Sequence, residues 1–371
     1  MRTRNGEIVY RLEERTVRHR VGSDAVAAAA RLAADRSAVV IVDTAVRRRH
    51  PALVRRLAGG GRRPVLVLPG GEAVKTPQRL VQVWRFLARH ALPRDGLLLA
   101  AGGGTVLDLA GLAAATWHRG TAWAAVATTL LAAVDAAIGG KTAVDLDGLK
   151  NPVGAFHPPL LTAVDPAVLR TLPRREWRQG WAELVKTAVL GDARLFRELE
   201  RRRTVLAAAL GAGRADRSVA FPRGLPWRDW LEHAARVKIR VVESDFRERG
   251  PRRALNLGHT LGHALEKVRG IPHGEAVALG TAAAARLAAG RGLCTARDRD
   301  RIVALLAAGG LPVTAAPPPA RAVAAAVRRD KKTAGGTVRW VLPAGIGRVA
   351  LDQAVTVTEA LAALAGDAPT A

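Results

Sequence analysis

Short apolar runs punctuate the first half of the chain, at 8–12, 38–43, 65–68, 96–101, 123–128 and 161–165. Their length and bounding turn residues predict strands. Ala-rich segments with helical periodicity fall between them, at 24–34 and 105–115. Strand and helix in alternation predict a parallel sheet with helices on both faces. From Glu176 onward the strand signal nearly vanishes, and 180–190, 226–244, 255–268, 275–289 and 298–308 repeat their apolar positions at helical spacing. The expected architecture is an α/β domain over 1–172 followed by a mainly helical domain over 173–371, with the junction at 171–175 around Pro173. The Gly- and Arg-rich stretch 211–223 reads as a surface loop, 317–319 as a turn, and the end of the chain carries a short hairpin-like segment.

Composition narrows the class. A chain of 371 residues, 49% of them hydrophobic, can bury the cores of two domains. With 58 Lys and Arg against 32 Asp and Glu, the formal charge of +26 favours anionic partners. The arginines are spread along the chain rather than gathered in a tail or interleaved with aromatics, which argues against a specific nucleic-acid surface. One cysteine, Cys294, excludes an internal disulfide and fits a reducing compartment. The longest apolar run, from Ala122, stops at Asp135, so the expectation is a cytoplasmic protein that does not enter a membrane.

Three of the nine histidines lie in NLGHTLGHALEKVRGIPHGE, residues 256–275. His259 and His263, four apart, share one face of a helix, and His273 after Pro272 is placed where the next helix begins. Spacing alone fits a divalent metal or a plain surface pair. Glu183, in GWAELVK, offers a carboxylate, and Glu with two His and one open position is a catalytic zinc arrangement; His263 is then better suited to proton transfer. In the first half, the strand at 96–101 runs into Gly102, Gly103 and Gly104, where backbone amides and a helix start can meet a pyrophosphate. The spacing is not GxGxxG, and a simple tight turn fits as well. Glu72 and Lys75 read by themselves as an ordinary charged loop. Asp135, Lys141, Lys150 and Asn151 sit among small apolar residues, where charge is costly unless paired or used; a salt-bridged loop is the plain alternative.

These segments together resemble the 3-dehydroquinate synthases over nearly the full length. The matching motifs are GEAVK at 71, GGGTVLDLAG at 102, HRG at 118, TTLLAAVDAAIGGKTAVD at 128, KNPVGAFHPP at 150, TLPRREWRQGWAELVK at 171, the block from Lys238 to Glu266, HGEAVALG at 273 and DKK at 330. The resemblance implies an NAD-binding α/β domain, a helical metal-binding domain, an active site in the cleft between them and a homodimer. Zinc, or cobalt in its place, would be held by Glu183, His259 and His273. The catalytic set would be Asp135, Lys141, Asn151, Lys186, Glu248 and His263. Arg119, Lys238, Arg252, Asn256 and Lys331 or Lys332 would bind an anionic sugar acid phosphate, with Arg119 reaching the phosphate across a dimer interface. Asp43, Glu72, Lys75, Gly103, Gly104, Asp108, Thr128, Thr129 and Lys150 would hold NAD+.

The chain departs from the family pattern at Ala45, Ala136, Ala137 and Phe246, none of them in the expected zinc or phosphate set, so the departures bear on cofactor affinity more than on reaction type. Sister sugar phosphate cyclases share most of these motifs, and the Arg252 and Asn256 pair with an intact GGK favours a carboxylate-bearing substrate. A non-catalytic basic binding protein is the reading from another class, and the completeness of the motif set argues against it.

Overall fold

The computed structural model describes residues 2–4, 6–210, 224–330 and 338–367, which divide into two compact units: 1–172 with 227–247, and 173–226 with 248–371. Lys331, Lys332 and the loop expected at 211–223 lie outside the described residues.

The first unit is built on an eight-stranded sheet of β1 (Arg2–Arg4), β2 (Glu7–Leu12), β3 (Arg15–Val21), β4 (Ala38–Asp43), β5 (Val65–Leu68), β6 (Leu97–Gly102), β7 (Ala122–Ala127) and β10 (Leu161–Val164). The order is β1-β2-β3-β10-β7-β6-β4-β5. From β3 to β5 every neighbour is parallel, while β1, β2 and β3 pair antiparallel. Every residue of β4 and β6 is buried, as expected of parallel strands covered on both faces. The chain passes from β4 outward to β5, then back across β4 to β6, so the strand order reverses between β4 and β6. The carboxyl ends of strands at such a reversal are where open α/β sheets bind ligands.

Two parts of this unit depart from the sequence expectation. β3, with the sequence RTVRHRV, was hidden by its charges; it alternates, burying Val17, His19 and Val21 and directing Arg18 and Arg20 to the other face. The stretch 141–156, where no strand was expected, is a hairpin of β8 (Lys141–Leu146) and β9 (Leu149–Phe156). Its two-residue turn is Asp147-Gly148, both with positive φ (49° and 72°), the turn that strand twist favours and that Asp-Gly encodes.

Helix Trp227–Ser244, expected with the helical domain over 173–371, packs instead in the first unit, against β2 and β3. Trp227, Trp230, Leu231, Ala234, Ala235, Lys238 and Val242 form its buried stripe at helical spacing.

The second unit is helical. Helix His273–Gly290 is buried on nearly all sides, and helices Arg174–Gly191 and His259–Arg269 pack on it. Close approach is possible because the contact points are glycines. A Cβ on Gly280 would lie 1.9 Å from the Gly258 carbonyl oxygen, and one on Gly274 would lie 2.5 Å from Gln179 Cα. The expected terminal hairpin is β11 (Arg339–Pro343) paired with β12 (Val349–Ala354), followed by helix Val357–Ala365 behind a Thr356/Glu359 capping box.

Candidate metal centre and active-site residues

The glycine contacts of the second unit bring three helices together at Glu183, His259 and His273, whose ligand atoms all lie within 4.8 Å of one another. Glu183 is in the middle of Arg174–Gly191 and fully buried; His259 and His273 are each the first residue of their helix. Nε2 of His259 and Nε2 of His273 lie 3.3 and 3.2 Å from the same oxygen, Glu183 Oε1. Burial pushes the Glu183 carboxyl up, but the Lys186 ammonium and the nearby His259 outweigh it and hold the group well below the ordinary carboxylate range. Lys186 Nζ is 2.5 Å from Glu183 Oε2 and donates to the Leu255 carbonyl at 3.0 Å.

The tautomers decide what the cluster can hold. His259 Nδ1 is 3.1 Å from the Leu257 carbonyl, which can only accept, so Nδ1 carries the proton. Burial, then the Lys186 charge, lowers the His259 pKa to about 4, so the ring is neutral near pH 7. With the proton on Nδ1, Nε2 is the nitrogen turned toward Glu183 and available to a cation. His273 repeats the pattern, with Nδ1 3.4 Å from Glu266 Oε2 and Nε2 aimed at Glu183. Two imidazole nitrogens converging on one carboxylate oxygen are the donor set of a divalent cation. The separations fit one, since a tetrahedron with zinc to ligand distances near 2.1 Å has an edge of about 3.4 Å.

His263, one turn after His259, holds its ring centroid 5.0 Å from that of His259 and 6.2 Å from that of His273. Arg252 is buried on the turn Pro251–Asn256, and Asn256 Nδ2 donates to Glu248 Oε1 at 3.3 Å. Glu248 itself has φ of +59°. Metal set, His263, Lys186, Arg252, Asn256 and Glu248 thus belong to one unit.

In the first unit, the residues expected at a nucleotide gather at the β4/β6 reversal. Asp43 ends β4 and caps the next helix, accepting from Val46 N at 2.6 Å, and it also accepts from the amides of Gly103 and Ala45. Burial raises its pKa against those bonds. Gly102 to Gly104 carry the chain from β6 into helix Gly104–Thr116. Side chains there would collide, since a Cβ on Gly102 would come 2.8 Å from Val106 Cβ, on Gly103 3.1 Å from Thr129, and on Gly104 3.1 Å from Ala136. Thr128 N donates to Gly102 O at 3.0 Å, and Thr129 Oγ1 accepts from Ala132 N. The turns after β4, β6 and β7 therefore form one edge.

Beside that edge Lys75 Nζ is 2.5 Å from Asp108 Oδ2 and also bonds Asn151 Oδ1. Burial lifts Asp108 to about 6 despite the Lys75 ammonium. Thr105 Oγ1 donates to Glu72 Oε2, and Lys150 Nζ lies 3.8 Å from Glu72 Oε1. Lys238, on the helix Trp227–Ser244, donates to the Asp135 carboxylate at 2.5 Å and its carbonyl at 2.7 Å. Lys141 opens β8 and is exposed; Arg119, with φ of +62°, is exposed on the turn after helix Gly104–Thr116. Phe246, the unusual residue of its block, stacks edge-on with Phe156 at 5.3 Å.

Some partners were not foreseen from the sequence. Asp145 accepts from Asn151 N at 2.7 Å and donates its own N–H to the Lys75 carbonyl, tying hairpin to loop. Gln179 accepts the Gly274 amide at the start of the His273 helix. Glu266 faces His273. The signal for Glu266 is its spacing of two helical turns from His259, which no local pattern singles out from the other charged positions of that helix.

Residues 65–179 match the family model described as 3-dehydroquinate synthase N-terminal, and residues 180–333 the one described as 3-dehydroquinate synthase C-terminal. The 3-dehydroquinate synthase of Prochlorococcus marinus (strain MIT 9313) is 41% identical over 310 residues, 82% of this chain and 80% of that protein. That of Paracoccus denitrificans (strain Pd 1222) is 39% identical over 347 residues, 91% and 90% of the two. Among solved structures, a 2-epi-5-epi-valiolone synthase from Streptomyces hygroscopicus subsp. jinggangensis 5008, with NAD+ and Zn2+ bound, matches with a TM-score of 0.81 at 29% identity over 98% of each chain. A 2-deoxy-scyllo-inosose synthase, complexed with carbaglucose-6-phosphate, NAD+ and Co2+, shares the fold with a TM-score of 0.78 at 24% identity, over 97% of this chain and 99% of that one.

Proposed function

The chain belongs to the 3-dehydroquinate synthase family, and from that premise we propose that it converts 3-deoxy-D-arabino-heptulosonate 7-phosphate to 3-dehydroquinate and phosphate. The reaction (EC 4.2.3.4) comprises transient oxidation of one hydroxyl, phosphate elimination, re-reduction and intramolecular aldol closure, and it serves the shikimate pathway. The observation that carries the reading is the convergence of His259 Nε2 and His273 Nε2 on one oxygen of Glu183, with all three ligand atoms within 4.8 Å of one another.

Glu183, His259 and His273 would hold a divalent metal, zinc or cobalt, and the glycine edge with Asp43 would hold NAD+. When bound, the metal supplies a Lewis acid for substrate hydroxyls and the nicotinamide accepts and returns a hydride. The chain's own side chains do the rest. Lys186 offsets the buried Glu183 charge and is itself fixed by the Leu255 carbonyl. His263, beside the metal ligands, is the group assigned to the proton of the oxidised hydroxyl. Arg252 has the planar fork to grip the substrate carboxylate by two parallel bonds. Lys238, held by Asp135, and Arg119 are the cations assigned to the remaining anionic groups.

The test is phosphate release from 3-deoxy-D-arabino-heptulosonate 7-phosphate by purified protein with NAD+ and zinc, with product mass followed in parallel. Stoichiometric phosphate, a product of dehydroquinate mass and no accumulated NADH are expected. Release from sedoheptulose 7-phosphate or an amino analogue instead would transfer the chain to a sister cyclase activity, and lasting NADH would mark a simple dehydrogenase.

A further inference from the structure

The two histidines of the metal cluster are oriented differently. His259 is set by a backbone carbonyl two residues before it, an acceptor no side-chain substitution removes. His273 is set by a side chain: its Nδ1 lies 3.4 Å from Glu266 Oε2 while its Nε2 lies 3.2 Å from Glu183 Oε1. Glu266 and Glu183 thus face opposite edges of one imidazole. A ring that gives Nε2 to a cation keeps its proton on Nδ1, and a carboxylate accepting that proton fixes both the tautomer and the plane of the ring and makes Nε2 a stronger donor. Glu266 is on His259–Arg269, two turns beyond His259 on the same face, so one helix supplies a ligand and the orienting group for the ligand on the next helix.

We propose that Glu266 is a positioning residue of the metal centre, holding His273 in the Nδ1–H tautomer with Nε2 directed at the ion shared with Glu183 and His259. The proposal rests on the metal reading of that cluster. Glu266 does not touch substrate in this role; it acts through the imidazole. It also sits within reach of His263, and the three could form a separate cation seat, since their ligand atoms lie within 4.8 Å of one another. That seat would need the Nδ1 proton of His273 removed, which the first arrangement keeps.

The experiment is zinc titration of the full chain against a chromophoric chelator at fixed pH, for wild type, Glu266→Ala, Glu266→Gln and His259→Ala, with the melting temperature of each metal-free protein. Glu266→Ala is expected to weaken zinc binding by about 10- to 100-fold. Glu266→Gln, which keeps an oxygen to accept the Nδ1 proton but loses the charge, should weaken it less. The metal-free melting temperatures should match wild type, which a merely structural role would not allow; if Glu266→Ala fails to fold, the glutamine variant carries the comparison. Wild-type zinc affinity in Glu266→Ala, with binding lost in His259→Ala, overturns the proposal alone. Unchanged affinity in His259→Ala as well overturns the metal reading beneath it. Two zinc equivalents in wild type falling to one in Glu266→Ala would make Glu266 a ligand of its own site and also overturn the proposal.

Discussion

His19 is a residue whose environment gives it a measurable cost. It is buried in β3, and neither ring nitrogen has a hydrogen-bond partner among the described residues. Burial, then the charge of Arg236, lowers its pKa from 6.5 to about 4. The sign follows: a base whose folded pKa is depressed contributes stability present above its unfolded value and lost as pH falls through the folded one, here between 6.5 and 4. His19→Leu removes two unsatisfied polar atoms while filling similar volume, so stability at pH 7 should be equal or higher. The acid loss over that window should shrink by roughly 1–3 kcal/mol. Urea midpoints at pH 7 and pH 4.5 for both proteins check this, and an unaltered acid slope would contradict it. Single residues were unevenly legible in the sequence. His259 stood out because it pairs with His263 at helical spacing and lies close to His273 in a chain with nine histidines, whereas Glu183, far off in sequence, was singled out by its motif. Lys75, Asp108 and Asn151 carried motif matches but no hint that they bond one another, because their contact spans 33 and 76 residues of chain.

Among elements, the packing of helices His259–Arg269 and His273–Gly290 depends on the missing side chain at Gly280. An added methyl would sit 1.9 Å from the Gly258 carbonyl oxygen, and backbone cannot rotate away as a flexible side chain can. Gly280→Ala is therefore expected to destabilise the protein by about 1–3 kcal/mol or more. It should also weaken zinc binding, since the two helices that must separate carry His259 and His273. A denaturant midpoint and zinc affinity equal to wild type would show that the helices accommodate the methyl elsewhere. The apolar strands and periodic helices were readable because their patterns repeat within a few residues. The 141–156 hairpin was not, because Lys141, Lys150 and Asn151 read as loop chemistry; the Asp147-Gly148 pair was its one local signal. β3 failed for the opposite reason, its alternation being carried by Arg and His rather than by polar and apolar residues.

The molecule as a whole carries a formal charge of +26, and the proposed substrate is anionic at both ends. A field of that sign steers an anion toward the protein, and mobile ions screen it within about 10 Å at 0.1 M salt. kcat/KM should therefore fall steadily as salt rises from about 20 to 300 mM, while kcat changes little because the groups at the buried metal cluster are shielded. A salt-independent kcat/KM would show that the surface arginines leave encounter unaffected. The order of the units along the chain has another consequence. The helix Trp227–Ser244 packs against β2 and β3, yet it is made only after helices Arg174–Gly191, Ala193–Arg201 and Arg203–Leu210 of the other unit. During vectorial synthesis, the sheet face bearing Tyr10, Leu12, Val17 and His19 emerges from the ribosome long before its cover does. The nascent first unit must wait, with that apolar face open to chaperones, until translation has passed Arg247.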